Sequence, residues 1–178
     1  MARRRSWWLS LILIILLVGC QSERQDDSSM TASGNISQIV DIEDYLVTNV
    51  GISAFGGEVF CAYKPLDVVQ GVEGKMYLWV LCQEYYLEQE SLIPGSGVSL
   101  PVAVRIQEKD GHYEIVEHLV PRDGAYYGPD VRATFPESTW SQIMPRGEDG
   151  ISQYNYRANT LEEETEEKAR SYYGIGTP

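Results

Sequence analysis

Glu117 and His118, followed by Arg122 and Asp123, are the side chains of this sequence whose types and spacing come closest to a catalytic group. An imidazole can act as a general base near neutral pH. Because side chains alternate along a strand, however, Glu117 and His118 are expected to point to opposite faces. No serine or cysteine in a recognisable nucleophile elbow accompanies them. We therefore expect His118, Arg122 and Asp123 to bind a partner or ligand, and a small enzyme with a pocket around His118 is the alternative.

Metal ligation is the second chemistry to consider. The two histidines of the chain, His112 and His118, are six residues apart, which fits no helical metal-binding motif. Asp123, Gly124 and Asp130 do not complete the twelve-residue loop of an EF-hand. We expect neither a metal ion nor an organic cofactor.

Two pairs of adjacent tyrosines, Tyr85 with Tyr86 and Tyr126 with Tyr127, form the aromatic signal of the sequence. Tyrosines of this kind often anchor protein interfaces or stack against ligands. Adjacent strand residues face opposite ways, so one tyrosine of each pair can be exposed. We expect these four residues to form a binding surface, while Tyr77 and Trp79 are covered by a helix that precedes the sheet.

The segment from Gln70 to Gly74 reads Gln-Gly-Val-Glu-Gly and lies between two expected strands. This pattern resembles the Gln-x-Val-x-Gly hairpin of the cystatin protease inhibitors. The resemblance implies a hairpin that enters the active-site cleft of papain-type cysteine proteases. The family's Pro-Trp pair in a second loop has no counterpart at Asp110-Gly111. Inhibition of a cysteine protease is therefore a further alternative for the function.

The N-terminal residues form a leader. Arg3, Arg4 and Arg5 precede an apolar run over residues 7–18, which is too short to span a bilayer. The run ends in Leu17-Val18-Gly19-Cys20. This ending resembles the substrates of lipoprotein signal peptidase, and the resemblance implies cleavage after Gly19 and a diacylglycerol group on the thiol of Cys20. The chain is thus expected to be a bacterial lipoprotein that is attached to a membrane through Cys20.

The resemblance also predicts where the protein is located. It implies a position in the cell envelope, outside the cytoplasm. Gln21 follows the lipidated cysteine, whereas Asp at that position retains this class in the inner membrane, so the outer membrane is favoured where one exists. Residues 20–35 are polar and are expected to form a flexible tether.

Cys61 and Cys82 are the two cysteines that remain once Cys20 is lipidated. Their spacing fits neither a redox motif nor a zinc site. If the first hairpin turns at Gly71 and Val72, the two cysteines lie opposite each other on adjacent strands. We expect a disulfide, and closing a loop of about twenty residues stabilises a fold by roughly 3 kcal/mol in the chain-entropy model.

The charge of the chain excludes one class of partner. The formal net charge is −12, and it becomes −15 when Arg3, Arg4 and Arg5 are removed with the leader. Binding to a nucleic-acid backbone requires clusters of lysine and arginine, and this sequence has none. We expect no nucleic acid as a partner, and instead a protein of the envelope or a small ligand.

The periodicity of apolar residues predicts one helix followed by strands. Apolar residues recur at helical spacing between Ile36 and Val50. Four strand-like segments follow: 59–63 with an extension to 69, 76–86, 98–107 and 113–120. Turns are expected near Gly71, at Pro94–Gly97 and at Asp110-Gly111.

The C-terminal region is expected to be helical. One or two short helices are expected between Asp130 and Ile143, anchored by Phe135 and Trp140. A further helix is expected to begin at a capping box formed by Thr160 and Glu163. Because its apolar stripe is thin, we expect it to be loosely docked or exposed to solvent.

The predicted fold class is α+β, with one N-terminal helix packed on a four-stranded antiparallel sheet and short C-terminal helices. This order of elements resembles cystatin-like and NTF2-like folds. Four regions follow from the pattern: a signal peptide over residues 1–19, the tether over 20–35, a globular domain over 36–145, and a loop with a helix over 146–178. A non-catalytic module that binds a protein or a ligand is the function that we expect.

Overall fold

The computed structural model describes residues 42–69, 73–110 and 112–176. It confirms the α+β class, with a four-stranded antiparallel sheet. The strands are β1 (Glu58–Val69), β2 (Glu73–Glu88), β3 (Ser91–Lys109) and β4 (His112–Leu119). They pair in the order of the sequence, as a meander. Their richness in β-branched and aromatic residues favours this extended conformation.

A short helix, α1 (Ile42–Asn49), covers one face of the sheet. Ile42 and Leu46 are its buried residues, and they are part of a core with alternate residues of the central strands. Val102, Val104 and Ile106 share this face, as the alternation along the third strand predicts. The first core is therefore formed between α1 and the sheet.

Three further helices, α2 (Tyr127–Thr134), α3 (Glu137–Ile143) and α4 (Gly147–Tyr173), form a second core on the opposite face. Tyr77 and Trp79 lie in this second core, so the expectation that the N-terminal helix covers them is wrong. The physical reason is the two-residue period of β2, which directs odd-numbered residues away from α1.

The predicted start of the last helix is also wrong. α4 begins at Gly147, thirteen residues before Thr160, and it is 27 residues long. The helix is not loosely docked, because Leu161, Thr165 and Ala169 are buried against the sheet. Their spacing of four residues places them on one face of the helix. Two of the three are small, so a thin apolar stripe lets the helix approach β1 and β2 closely.

The second turn of the meander lies at Gln89 and Glu90, which have φ angles of 50° and 66°. The prediction of a turn at Pro94–Gly97 is wrong, because these residues are part of β3. Gln83 pairs with Gly97 and Tyr85 pairs with Pro94, so β3 carries additional residues opposite Glu84. The Pro and Gly residues thus form a β-bulge, a structure that favours the same residue types as a turn.

The predicted disulfide is confirmed. Cys61 of β1 pairs directly with Cys82 of β2, and their sulfur atoms are bonded with a Cα–Cα distance of 4.0 Å. Pro101 of β3 lies beside an open edge of the sheet, since β4 ends opposite Ala103 and Pro101 pairs only with Trp79 of β2. Proline is tolerated beside an open sheet edge, because it has no N–H to donate to a neighbouring strand.

Candidate functional site

Glu84 is the charged side chain at the centre of the candidate site. It lies on β2 and is 0 % exposed, although buried carboxylates are rare in proteins. Its two oxygens accept hydrogen bonds from four backbone N–H groups and two hydroxyl groups at 2.7–3.2 Å. The donors are Ser53 Oγ, Ala54 N, Phe55 N, Gly57 N, Ser96 N and Ser96 Oγ.

Two glycines allow this arrangement because the backbone approaches closely there. A Cβ atom at Gly57 would overlap the carbonyl oxygen of Tyr85. A Cβ atom at Gly95 would lie 2.8 Å from the carboxylate of Glu84. The bulge of β3 therefore gives the carboxylate its space, and the loop over residues 51–57 folds onto it.

The hydrogen bonds also determine the ionisation of Glu84. Desolvation by burial raises the pKa of this carboxyl group, whereas the hydrogen bonds from Ser96, Ala54 and Gly57 lower it and have the larger combined effect. The pKa of Glu84 therefore lies well below its ordinary value of 4.5. Glu84 is an ionised side chain that fixes a loop, and no proton transfer is expected from it at neutral pH.

The loop that Glu84 fixes presents apolar side chains to solvent. Phe55 is 65 % exposed and Ile52 is 51 % exposed. The ring of Phe55 stacks on the half-buried ring of Tyr86 at a centroid distance of 6.0 Å and an interplanar angle of 17°. The carbonyl oxygen of Ile52 lies 2.8 Å from the hydroxyl of Ser96. We name Ile52, Phe55 and Tyr86 the Phe55 patch.

The Phe55 patch is preorganised for binding. A loop that is hydrogen-bonded through three of its backbone N–H groups to one carboxylate has little conformational freedom left to lose when a partner binds. Exposed aromatic residues are enriched among the residues that contribute most to protein interfaces. The arrangement can therefore recognise an apolar surface.

The four tyrosines predicted to form a surface are not brought together. Tyr85 is only 7 % exposed, and its hydroxyl lies 3.4 Å from that of Thr165 in α4. Tyr127 is half-buried and packs against the second core, whose Trp79 lies roughly 20 Å from Tyr85 along β2. Tyr126 is exposed beneath the guanidinium group of Arg122. Tyr86 is the member that lies in the Phe55 patch.

His118 and its predicted neighbours are also separated. Nδ1 of His118 lies 2.9 Å from the hydroxyl of Tyr45 in α1. Burial, with the nearby charge of Glu117, raises the pKa of Tyr45. Glu117 is bonded to Arg105 at 3.0 Å. His118 thus contacts α1, and the carboxylate next to it in sequence is engaged elsewhere.

Arg122 is bound to a carboxylate that lies outside the predicted group. Its Nε and Nη2 donate to the two oxygens of Asp130 at 2.8 and 2.9 Å. These side-chain bonds, with a bond from the backbone N–H of Arg122, lower the pKa of Asp130 to about 2. Asp123 is exposed and makes no side-chain capping bond to the 3₁₀ helix that follows it, Gly124–Tyr126. The ion pair between Arg122 and Asp130 closes the turn that connects β4 to α2.

Two further predicted sites concern residues outside the described part. Cys20 with the leader and the tether lies there, and so do Gln70, Gly71 and Val72 of the cystatin-like motif. The lipidation site and the inhibitory hairpin therefore stay predictions.

Sequence reasoning missed Glu84, although a signal was present. Glu84 is the only charged residue between Met76 and Leu87 in a run that is otherwise almost entirely apolar. A carboxylate inside a buried strand must find several hydrogen-bond donors, so such a residue marks a place where a loop folds over the sheet. The sequence does not show which loop this is, because the hydrogen-bond donors of the loop are mainly backbone groups.

The chain matches no protein-family model, no curated protein and no solved structure. Within residues 42–69, 73–110 and 112–176, no cluster of His, Cys, Asp and Glu side chains is arranged to hold a metal ion. None of the helices in the same ranges is both long and apolar enough to cross a bilayer.

Proposed function

We propose that the chain is a lipid-anchored protein of a bacterial cell envelope, and that its α+β domain binds another protein without catalysing a reaction. The observation that carries the binding role is the Phe55 patch. Its apolar side chains are exposed on a loop that Glu84 holds in place, which is an arrangement suited to recognition.

The charges near the patch favour a protein over a lipid surface as its partner. Glu88 and Glu90, at the hairpin that follows Tyr86, are exposed carboxylates. They would be repelled by the anionic head groups of a bacterial membrane. A protein interface tolerates such charges, because acidic residues at the rim stay hydrated and can pair with basic residues of the partner.

The anchoring part of the proposal is supported by the N-terminal pattern. Arg3, Arg4 and Arg5, the short apolar run and Cys20 fit a lipoprotein precursor. The Cys61–Cys82 disulfide suits the oxidising compartments outside the cytoplasm. The lipid on Cys20 would hold the domain at a membrane, with the outer membrane favoured by Gln21 where one exists.

Photo-cross-linking in the producing bacterium tests the binding role. A benzophenone amino acid replaces Phe55 in one variant and Tyr156 in a control, which is an aromatic residue of α4 that is 75 % exposed. We expect a discrete protein adduct from position 55 whose yield saturates with expression level, and none from position 156. Adducts of equal yield from both positions, or adducts of lipid mass from position 55, would contradict a protein partner.

A second variant tests whether the patch itself is recognised. The benzophenone is placed at Ile52, and Phe55 is changed to alanine in the same chain. Since the Phe55 ring is exposed, its loss should leave the fold intact, as circular dichroism can verify. We expect the adduct from position 52 to decrease roughly tenfold, because truncating an aromatic hot spot costs a protein interface about 1–2 kcal/mol or more. An unchanged yield would exclude Phe55 from the interface.

A further inference from the structure

A concave site lies on the opposite face of the sheet from the Phe55 patch. A cleft of about 200 Å³ is formed between β1 and the helices α3 and α4. It is smaller than the pockets of roughly 300–1,000 Å³ that hold drug-sized ligands, so it suits a small molecule. Its walls include Lys64, Leu66, Gln142, Tyr154, Tyr156 and Arg157.

Arg157 is the group that gives this cleft its chemistry. Its guanidinium carbon lies 4.3 Å from the ring centroid of Trp79 and 5.5 Å from that of Tyr154. Nη2 donates to the carbonyl oxygen of Gln142 at 2.9 Å, and Nε is buried without a hydrogen-bond partner. Stacking on aromatic rings fixes the plane of the guanidinium group at the wall of the cleft.

The charge of Arg157 is unbalanced inside the described structure. Lys64, Arg105, Lys168 and Arg170 are also half-buried, and each of these forms an ion pair with a carboxylate. Among the described residues Arg157 forms none, although the chain has 26 acidic residues and only 14 lysines and arginines. A guanidinium group stays protonated at neutral pH even when burial lowers its pKa, as it does for Arg157. A partly desolvated cation without a counter-charge favours a bound anion.

The other residues that line the cleft indicate the chemistry of the rest of the ligand. Lys64 adds a second cation, and its only ion pair in the described part is a long one, 3.9 Å from its Nζ to Glu164. Leu66 and the ring of Tyr154 add apolar surface. We propose that this cleft binds a small carboxylate, with its anionic group against Arg157 and Lys64 and its apolar part against Leu66 and Tyr154.

The proposal is independent of the Phe55 patch, and the probe for it is the indole of Trp79. This indole lies under the guanidinium of Arg157 and donates from Nε1 to Ser99. The full chain, labelled with ¹⁵N-tryptophan in detergent, is titrated with acetate, butyrate and benzoate. We expect a saturable shift of the Trp79 indole signal, with benzoate binding more tightly than acetate. Benzamide, the neutral analogue of benzoate, should give no saturable shift.

Variants then assign the shift to Arg157. Arg157→Gln should weaken benzoate binding roughly tenfold or more, because it removes a charge-assisted hydrogen bond. Lys64→Gln, which removes a half-buried cation whose ion pair to Glu164 is long, should weaken it severalfold. Arg146→Gln is the matched control, since Arg146 is an exposed cation outside the cleft, and benzoate affinity should not change.

Three results would overturn the proposal. One is the absence of a saturable Trp79 shift with any of the three carboxylates in the folded chain. Another is equal binding of benzoate by wild type and by Lys64→Gln and Arg157→Gln. The third is binding of inorganic phosphate as tight as that of benzoate. This would show that the cleft recognises negative charge alone and that an apolar group of the ligand adds nothing to the affinity.

Discussion

At the scale of single residues, Glu84 shows how one carboxylate can organise a surface. Its oxygens accept hydrogen bonds from N–H groups of the loop that have no other partner in a helix or strand. The exposed ring of Phe55 depends on this, since the backbone N–H of Phe55 is one of the donors. The apolar patch and the buried charge are therefore parts of one structure.

Replacing Glu84 with glutamine tests this dependence. An amide NH₂ would face backbone N–H groups, so several hydrogen bonds would be lost and donors would oppose donors. We expect a lower urea midpoint at pH 7 and faster hydrogen exchange at Ala54, Phe55 and Gly57. Glu88→Gln is the control, because Glu88 is an exposed carboxylate on the same strand and its loss should shift the midpoint little.

The stability difference between the wild type and Glu84→Gln should depend on pH. The pKa of folded Glu84 is lowered below 4.5, so its contribution to stability is complete above pH 4.5 and is lost as the pH falls below that value. The difference in unfolding free energy between wild type and Glu84→Gln should accordingly shrink from pH 7 to pH 3. A difference that stays constant, or that grows in acid, would show that the carboxylate is not ionised in the folded protein.

At the scale of elements, α4 does more than fill the second face of the sheet. Lys168 donates to the carbonyl oxygen of Cys61 at 2.8 Å and pairs with Glu43 of α1 at 2.7 Å. Tyr173 donates to the carbonyl oxygen of Tyr85 at 2.9 Å. Side chains of α4 thus occupy polar groups of the first two strands, and the first of these is an edge strand of the sheet.

Truncation of Leu161 measures how firmly α4 is docked. Leu161 is 0 % exposed in the second core, so Leu161→Ala should lower the unfolding free energy by roughly 2–5 kcal/mol. Urea denaturation gives this value. Tyr156→Ala, on the same helix at an exposed position, should change it by less than about 0.5 kcal/mol. Equal small effects of both substitutions would mean that α4 contributes little to the fold.

The elements also show what the sequence could and could not predict. The strands, the first hairpin register and the Cys61–Cys82 pair followed from residue types and turn signals, because those effects act over short distances along the chain. The bulge at Pro94–Gly97 was mistaken for a turn, since its shape depends on the distant carboxylate of Glu84. The start of α4 was missed because its first turns contain Gly147 and Gly150, and contacts with the rest of the fold overcome their low helix propensity.

The same limit applies to the candidate site. The tyrosine pairs were visible in the sequence, but their exposure depends on which helix covers which face of the sheet. Arg157 and Lys64 are 93 residues apart, and no local pattern links them. When a site is formed by side chains from different elements, their spacing along the chain does not predict that they lie together.

At the scale of the whole molecule, the two proposed sites lie on different faces of one sheet. The Phe55 patch lies on the face of α1, and the Arg157 cleft lies on the face of α4. A domain held at a membrane by its N-terminus could therefore contact a protein partner on one side while a small carboxylate occupies the other. The disulfide joins β1 to β2 on the face covered by α1, and it links the strands on which both sites depend.

Attachment through Cys20 is the prediction that concerns the whole chain. If Cys20 carries lipid, intact mass of the protein from its host should show a chain that lacks residues 1–19 and carries acyl groups, and labelled palmitate should be incorporated. Cys20→Ser removes the thiol, so it should incorporate no palmitate. Cys61→Ser is the matched control: it breaks the disulfide in the folded domain but should leave palmitate labelling unchanged.

Labelling that persists in Cys20→Ser, or a mature mass that still includes the leader, would exclude this anchor. Several acyl chains on one cysteine make attachment effectively stable, whereas a single chain binds membranes only marginally, so the number of acyl groups in that mass also determines how long the domain stays at the membrane.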